Sequence, residues 1–380
     1  MHIAFNGWFW EQPTTGSGQY IRHLVAALHE VAPNLRLSVL APDFAASDGE
    51  VATEILPLSA RRDALGKLWW EQVTMPRAAR RMGADLLHVP YWAGPWATPV
   101  PTVVTIHDII PLILPAYRGS ALVRAYTALV QRTAGRASHI LTDSAASRRD
   151  ILRHLPVDAP DVTSVPLAAD ASYVPASNAQ APHARDAAIW RALGVRPGYA
   201  LYLGGFDVRK NLAGVMAAFA MAREQVAKAR LVIAGALPTE DTAFTPDPRR
   251  LAREADLPEE AVHFVGFVPE AQKPALYRGA RAFLFPSSYE GFGLPPLEAL
   301  ACGVPVVGSD AASLPEVVGP AGILTVPDDV PGLAAGLVRF LTDEAMLLDY
   351  RRRALAQAAT FSWPKTARAT LACYCRMLDQ

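Results

Sequence analysis

The sequence predicts an α/β protein made of two doubly wound, parallel-sheet halves. Short apolar runs alternate with longer amphipathic segments, the pattern of parallel strands joined by crossover helices. That rhythm occurs twice, on either side of Ala168 to Pro182, a stretch rich in Ala, Pro, Ser and Asn and without periodicity. The 380 residues also exceed what one core usually holds.

In the first half the strand candidates are His2–Phe5, Arg36–Leu40, Asp85–Val89, Thr102–Ile106, His139–Thr142 and Val162–Val165. The second half repeats them with Ala200–Leu203, Leu231–Ala234, Val262–Val265, Ala282–Phe285, Val304–Val307 and Gly322–Val326. With the linker between them, the domains are expected at 1–178 and 179–362. Two such halves imply a cleft between them. No internal repeat or low-complexity tract stands out.

Composition excludes several classes. A hydrophobic share of 51% against 19% charged residues argues for a well-packed chain and against disorder. Thirty-six basic residues balance 36 acidic ones, so nucleic acid is not an expected partner. Cys302, Cys373 and Cys375 cannot form a disulfide framework and have the wrong spacing for a zinc knuckle. The chain enters a strand at once, with no basic-then-apolar leader and no apolar run of about 18 residues, which leads to a cytoplasmic expectation.

The most informative stretch is Glu290-Gly291-Phe292-Gly293-Leu294-Pro295-Pro296-Leu297-Glu298. Two carboxylates stand eight residues apart, with a glycine-rich turn between them. Ala282–Phe285 before the turn reads as a buried strand, and Leu297 to Cys302 after it reads as a helix stopped by Gly303. Polar ligands bind at such strand-to-helix turns, because free backbone N–H groups and the helix dipole favour anions there.

This carboxylate spacing, with Gly291-Phe292-Gly293-Leu294 inside it and Ala301-Cys302-Gly303-Val304-Pro305-Val306-Val307 behind it, resembles the retaining GT-B glycosyltransferases of family 4. Asn6-Gly7, Thr15-Gly16-Ser17-Gly18-Gln19-Tyr20 and Thr105-Ile106-His107-Asp108 resemble the branch containing O-antigen mannosyltransferases. The resemblance runs from Met1 to about Trp363. It implies two Rossmann-like domains facing a cleft, with a closing helix (363–380) that crosses back to the first domain.

In the second half, the resemblance assigns the nucleotide ribose to Glu298, expected in the first turn of its helix, and the transferred sugar to Glu290. The plainer reading of such a Glu is stabilisation of a helix N-terminus, worth about 0.3–1 kcal/mol. Arg209 and Lys210 follow the strand ending Leu203-Gly204-Gly205, and two adjacent cations there suit a diphosphate leaving group. Relatives carry an Arg directly after the glycine; here that place holds Gly205 or Phe206, and Arg209 is the candidate substitute. Val265 and Gly266 stand where relatives hold the base through backbone groups, and Gly291, Phe292, Gly293 and Leu294 supply close backbone approach. Ser287 and the Leu294 amide are candidate minor contributors, with a structural role as the favoured reading of both.

In the first half, Gly16-Ser17-Gly18 lies before the expected helix Gln19–Val31 and offers backbone N–H groups to phosphates. A dinucleotide-binding motif fails here, because no third glycine follows and the strand ends about ten residues earlier. His107 and Asp108 end a strand, and relatives place this His beside the anomeric carbon; a packed polar His is the alternative. Asp143 and Ser144 are candidates for acceptor hydroxyls, although Asp143 as easily caps the helix Ala145–His154.

No Asp-x-Asp occurs, so no metal and no cofactor are expected, and positive side chains take over charge stabilisation. The implied function is α-hexosyl transfer, best GDP-mannose, to a saccharide or lipid-linked saccharide in cell-surface polysaccharide synthesis. Alternatives keep the fold: a donor such as UDP-glucose, UDP-N-acetylhexosamine or dTDP-rhamnose, a nucleotide-sugar 2-epimerase, or a non-catalytic relative. Arg61 to Arg81 holds six basic and two acidic residues with Leu65, Leu68, Trp69 and Val73 on one stripe and Trp70 beside it, and Arg118 to Arg136 adds four arginines. These segments suit either peripheral contact with the cytoplasmic face of a membrane or ordinary packing on the sheet.

Overall fold

The structure is a computed structural model that describes residues 1–43, 54–61, 63–92, 94–176 and 182–379. The chain divides into two compact units, Met1–Leu167 with Ser362–Gln380, and Ala168–Phe361.

In the first unit the described strands are β1 (His2–Asn6), β2 (Arg36–Pro42), β3 (Glu54–Leu58), β4 (Leu86–Val89), β5 (Thr102–Thr105), β6 (His139–Thr142) and β7 (Val162–Ser164). They form one parallel sheet in the order β3-β2-β1-β4-β5-β6-β7, in which Phe5 stands opposite Val39 on one side and His88 on the other. Its central strands are buried throughout, since a parallel sheet is covered on both faces; hence the near-continuous apolar runs.

The second unit holds β8 (Tyr199–Leu203), β9 (Leu231–Ala234), β10 (Val262–Gly266), β11 (Ala280–Phe285), β12 (Val306–Ser309) and β13 (Gly322–Thr325), paired in the order β10-β9-β8-β11-β12-β13. Its two faces follow the period of two in the sequence. Ala282 and Leu284 join a core with Phe219, Leu337 and Phe340, while Phe283 and Phe285 join one with Tyr277, Leu300 and Val304. In both sheets the strand order reverses beside the unit's first strand, at β1/β4 and at β8/β11. Such a reversal leaves a crevice beyond the carboxyl ends of the two strands, the usual ligand position in doubly wound sheets.

The closing helix Trp363–Leu378 packs on the helix Gly16–Val31 in the first unit. Thr366 Oγ1 donates to the Pro166 carbonyl at 2.7 Å, the His23 ring stacks on Trp363 with centroids 4.8 Å apart, and the Tyr374 hydroxyl lies 2.5 Å from His88 Nδ1.

Several sequence expectations change, among them the strand expected at Val304–Val307, which runs Val306–Ser309. Strand β3 was not anticipated: it is a five-residue edge strand containing Pro57, a residue tolerated only where no neighbour needs its N–H. The division between units falls at Leu167/Ala168 and not at 178/179, because Ala169 and Tyr173 pack into the second unit's core and the Tyr173 hydroxyl bonds Glu270. The expected linker is therefore packed over 168–173, and its residues 177–181 lie outside the described residues. Finally, the first helix starts at Gly16 instead of Gln19, capped by Thr15.

Candidate active site

The β8/β11 switch point gathers the basic pair and the first carboxylate. Val208–Lys210 form a single 3-10 turn after β8, ended by Asn211 in the left-handed conformation (φ 50°), which caps the next helix through Gly214 N. That turn directs Arg209 and Lys210 towards the loop after β11. Lys210 Nζ lies 2.5 Å from Glu290 Oε1, and Arg209 Nη1 lies 2.7 Å from Glu290 Oε2. Ser287 Oγ donates to Glu290 Oε1 at 2.6 Å. Burial alone would push the Glu290 carboxyl up, but the Lys210 and Arg209 cations outweigh it and hold the group below its usual value. Lys210 and Glu290 are both buried, a costly arrangement for charges unless they are paired this closely.

The loop around Glu290 is fixed by Ser313, whose Oγ reaches the carbonyls of Glu290 and Phe292 at 2.9 and 2.6 Å. Gly291 is buried, and the Phe292 ring turns inward against Phe361 at 5.8 Å, so the contribution open to Phe292 is through its backbone. Gly293 has φ 111°, which excludes side chains, and N-caps the helix Leu294–Ala301. With Pro295 and Pro296 next and the Leu297 N–H bonded to the Gly293 carbonyl, the first turn offers a ligand the Leu294 amide. The helix starts three residues earlier than expected, which puts Glu298 in the second turn instead of the first. The helix dipole therefore acts weakly on it, and side chains define its environment.

Glu298 accepts from the Tyr277 hydroxyl at 2.9 Å, and Tyr277 packs edge-on to Tyr173. Burial pushes the Glu298 carboxyl up to about 7, opposed by Lys273 and reinforced by Glu270. Tyr173, Tyr277, Glu270 and Lys273 were not singled out in the sequence; they come from the expected linker and from the segment after β10, and no motif marks them. Gly205 is exposed after β8, while Phe206 is buried and stacks on Tyr202, so the place where relatives carry an Arg is occupied by core. Val265 and Gly266 end β10 half-buried, with Gly266 at φ 71° and its carbonyl accepting from Gly235 N at 2.9 Å.

In the first unit, His107 and Asp143 come together from the ends of β5 and β6. His107 Nδ1 lies 2.8 Å from Asp143 Oδ2 and Nε2 lies 3.2 Å from the Pro90 carbonyl. Both partners are acceptors, so the ring is set up to carry two protons. Burial opposes the charged form, but Asp143 wins and the His107 pKa is raised. Asp143 does not cap the following helix; Ser144 does, accepting from Ser147 N at 3.0 Å. Asp108 Oδ1 accepts from Ile110 N at 3.0 Å, a local turn contact. In the glycine-rich segment, Thr15 Oγ1 takes the Gly18 amide at 3.1 Å and leaves Gly16 and Ser17 as the first-turn amides open to a ligand. A side chain at Gly18 would meet the Gln12 carbonyl at 2.0 Å, so that glycine is required by packing.

Residues 14–173 match the family described as "Glycosyltransferase Family 4", and residues 192–359 match "Glycosyl transferases group 1". Over 275 residues the chain is 36% identical to the O-antigen chain mannosyltransferase B of Escherichia coli, covering 72% of this chain and 69% of that relative. The chain belongs to glycosyltransferase family 4. This glycosyltransferase is also 29% identical over 292 residues to the serotype-specific mannosyltransferase WbdA of Escherichia coli, spanning about a third of that longer protein (34%) and 75% of its own length. Among solved structures, Anabaena HepE in complex with UDP-glucose superposes with a TM-score of 0.74 at 18% identity, over 99% of this chain and 100% of that one. The fold is accordingly GT-B, with two Rossmann-like sheets. Among the described residues no helix is long and apolar enough to cross a membrane.

Proposed function

We propose that this glycosyltransferase moves an α-mannosyl group from GDP-mannose to a saccharide or lipid-linked saccharide acceptor, with retention of configuration and without a metal ion. The reading rests chiefly on the Lys210–Glu290–Arg209 cluster at the β8/β11 switch point, taken with the 36% identity to a mannosyltransferase. A departing nucleoside diphosphate develops negative charge, and preset cations in a nearly dry site stabilise that charge more than water does. Arg209 and Lys210 supply two; without a donor Glu290 pairs with both, and Asp207 Oδ1 lies 3.1 Å from Arg209 Nε. When the diphosphate engages the cations, the Glu290 carboxylate is released towards the hydroxyls of the transferred sugar.

Glu298 accepts from the ribose hydroxyls, with Tyr277 holding one carboxylate oxygen. Val265, Gly266 and the Leu294 amide contribute backbone contacts to the nucleotide. In the first unit, His107, oriented by Asp143, is the candidate for a sugar hydroxyl, and the Gly16 and Ser17 amides are candidates for anionic oxygens. The acceptor hydroxyl attacks on the face from which the diphosphate leaves, and a phosphate oxygen takes its proton. The protein supplies positioning and charge in this scheme, and no nucleophile.

Peripheral membrane contact through 61–81 belongs to the same proposal in a narrower form. Trp70 is buried and forms part of the core, while Leu65 and Trp69 are exposed beside Arg61, which leaves a small apolar and basic surface. Arg62 lies outside the described residues.

The test is incubation of the purified protein with GDP-mannose and an α-linked mannobiose in EDTA, followed by proton NMR of the anomeric region. A new α-anomeric signal supports the reading. A β-anomer removes retention, and product that appears only with UDP- or dTDP-sugars removes the mannosyl assignment.

A further inference from the structure

The β1/β4 switch point of the first unit carries a second cluster of chemistry. Glu71 is fully buried in a π-helical turn, Trp70–Thr74, that continues the helix Ala64–Trp69. The Tyr126 hydroxyl lies 3.2 and 3.0 Å from its two carboxylate oxygens, and Lys67 Nζ stands 3.6 Å from Oε1. The Lys67 ammonium is ringed by aromatic side chains, with centroids of Phe9, Tyr91 and Tyr126 at 5.1, 5.2 and 5.8 Å. Phe9 and Tyr91 meet edge to face at 4.9 Å, and Asn6 Nδ2 donates to the Tyr91 hydroxyl at 2.8 Å. Lys67 remains 29% exposed, so the cluster is reached from solvent.

Stability does not account for this cluster, because an apolar group of the same size would fill Glu71's place at lower cost. Its place in the fold suggests a use. Phe9 follows β1 and Tyr91 follows β4, the two strands that flank the crevice. Tyr91 also follows Pro90, whose carbonyl faces His107 Nε2, so the cluster adjoins the His107–Asp143 pair.

We propose that Phe9, Lys67, Glu71, Tyr91 and Tyr126 form a subsite for one neutral sugar unit of the acceptor. The Lys67 and Glu71 charges cancel, which disfavours a phosphate or other anion. The partly exposed Lys67 ammonium can donate to a sugar hydroxyl, the Tyr126 phenol oxygen, held by the buried Glu71 carboxylate, can accept from a neighbouring one, and the rings offer apolar surface to the C–H faces. The inference rests on the transferase reading above and adds to it the acceptor's contact residues and neutral charge.

Saturation-transfer NMR and titration with methyl α-mannoside, an α-linked mannobiose and inorganic phosphate test the subsite, on wild type, Lys67→Met and Tyr126→Phe. The expected result is binding of at least one saccharide, a Kd raised about tenfold or more in either variant, as loss of a hydrogen bond to a charged group predicts, and no displacement by phosphate. Absence of saccharide binding by the wild type, equal affinity in the variants, or competition by phosphate each overturns the proposal. If Lys67→Met fails to fold, Tyr126→Phe decides, since it deletes one hydroxyl from a half-buried ring. A parallel titration with GDP separates the two readings: loss of the GDP response with saccharide binding intact sinks the donor assignment and leaves the subsite standing.

Discussion

Lys210 and Glu290 hold each other at 2.5 Å with little water around them, and that contact sets what their substitutions should do. Lys210→Ala leaves Glu290 with Arg209 as its one remaining cation beside the Ser287 hydroxyl, which should cost on the order of 3 kcal/mol of stability. It should also weaken GDP binding ten- to a hundredfold while guanosine, which lacks the diphosphate, is unaffected; calorimetric titration of both ligands checks this. Equal weakening of both would mean that Lys210 does not read the diphosphate. Glu298 yields a pH test. Its folded-state pKa of about 7 stands above the unfolded value, so the native state keeps a proton that the unfolded chain releases. That contribution is fully present below about pH 4 and is lost as pH rises through about 7, by about 3 kcal/mol in all. Urea unfolding should show Glu298→Gln gaining on the wild type between pH 5 and pH 8; parallel pH profiles would contradict the burial of an ionisable Glu298. Arg209, Lys210 and Glu290 stand out in the sequence by charge and by their places after strands, and Glu298 by its spacing from Glu290; the roles given to them come from the family resemblance and are proposals. The pairing of His107 with Asp143 was not legible, since 36 residues separate them and Asp143 also fits a capping role.

At the scale of elements, strands were legible wherever both faces are covered, as in β9 and β6, whose bounds match the apolar runs. Strand β3 escaped because an edge strand with one proline resembles a loop. The helix starts at Gly16 and Leu294 were misplaced for a related reason: glycine and proline read as turn residues, yet both are accepted in a first helical turn. The closing helix depends on a polar contact that no pattern reveals. Tyr374 meets His88 Nδ1, while His88 Nε2 lies 2.7 Å from Thr105 Oγ1, and burial holds this imidazole neutral, with its pKa lowered to about 3. Tyr374→Phe strands one ring nitrogen of His88 and should cost about 1–3 kcal/mol. Thermal unfolding measures it, and an unchanged midpoint would mean that packing alone holds the helix.

For the whole molecule, the sequence carried the α/β class and the doubled sheet, because periodicity and length survive any detail of packing. It did not carry the exact division, since packing of Tyr173 against the second core is a contact between distant segments. Each unit sets its candidate residues at the point where strand order reverses: Arg209, Lys210 and Glu290 at β8/β11, and Phe9, Tyr91 and the neighbouring Lys67–Glu71 pair at β1/β4. The central claim is that β8/β11 binds a nucleoside diphosphate through protein cations. Thermal unfolding of the intact chain with GDP, UDP, dTDP and ADP, each with and without EDTA, tests it most directly, because a ligand of the native state must raise the midpoint. A rise with GDP that survives EDTA and is reduced in Lys210→Ala is expected. A rise abolished by EDTA, or none with any nucleotide, would contradict the claim.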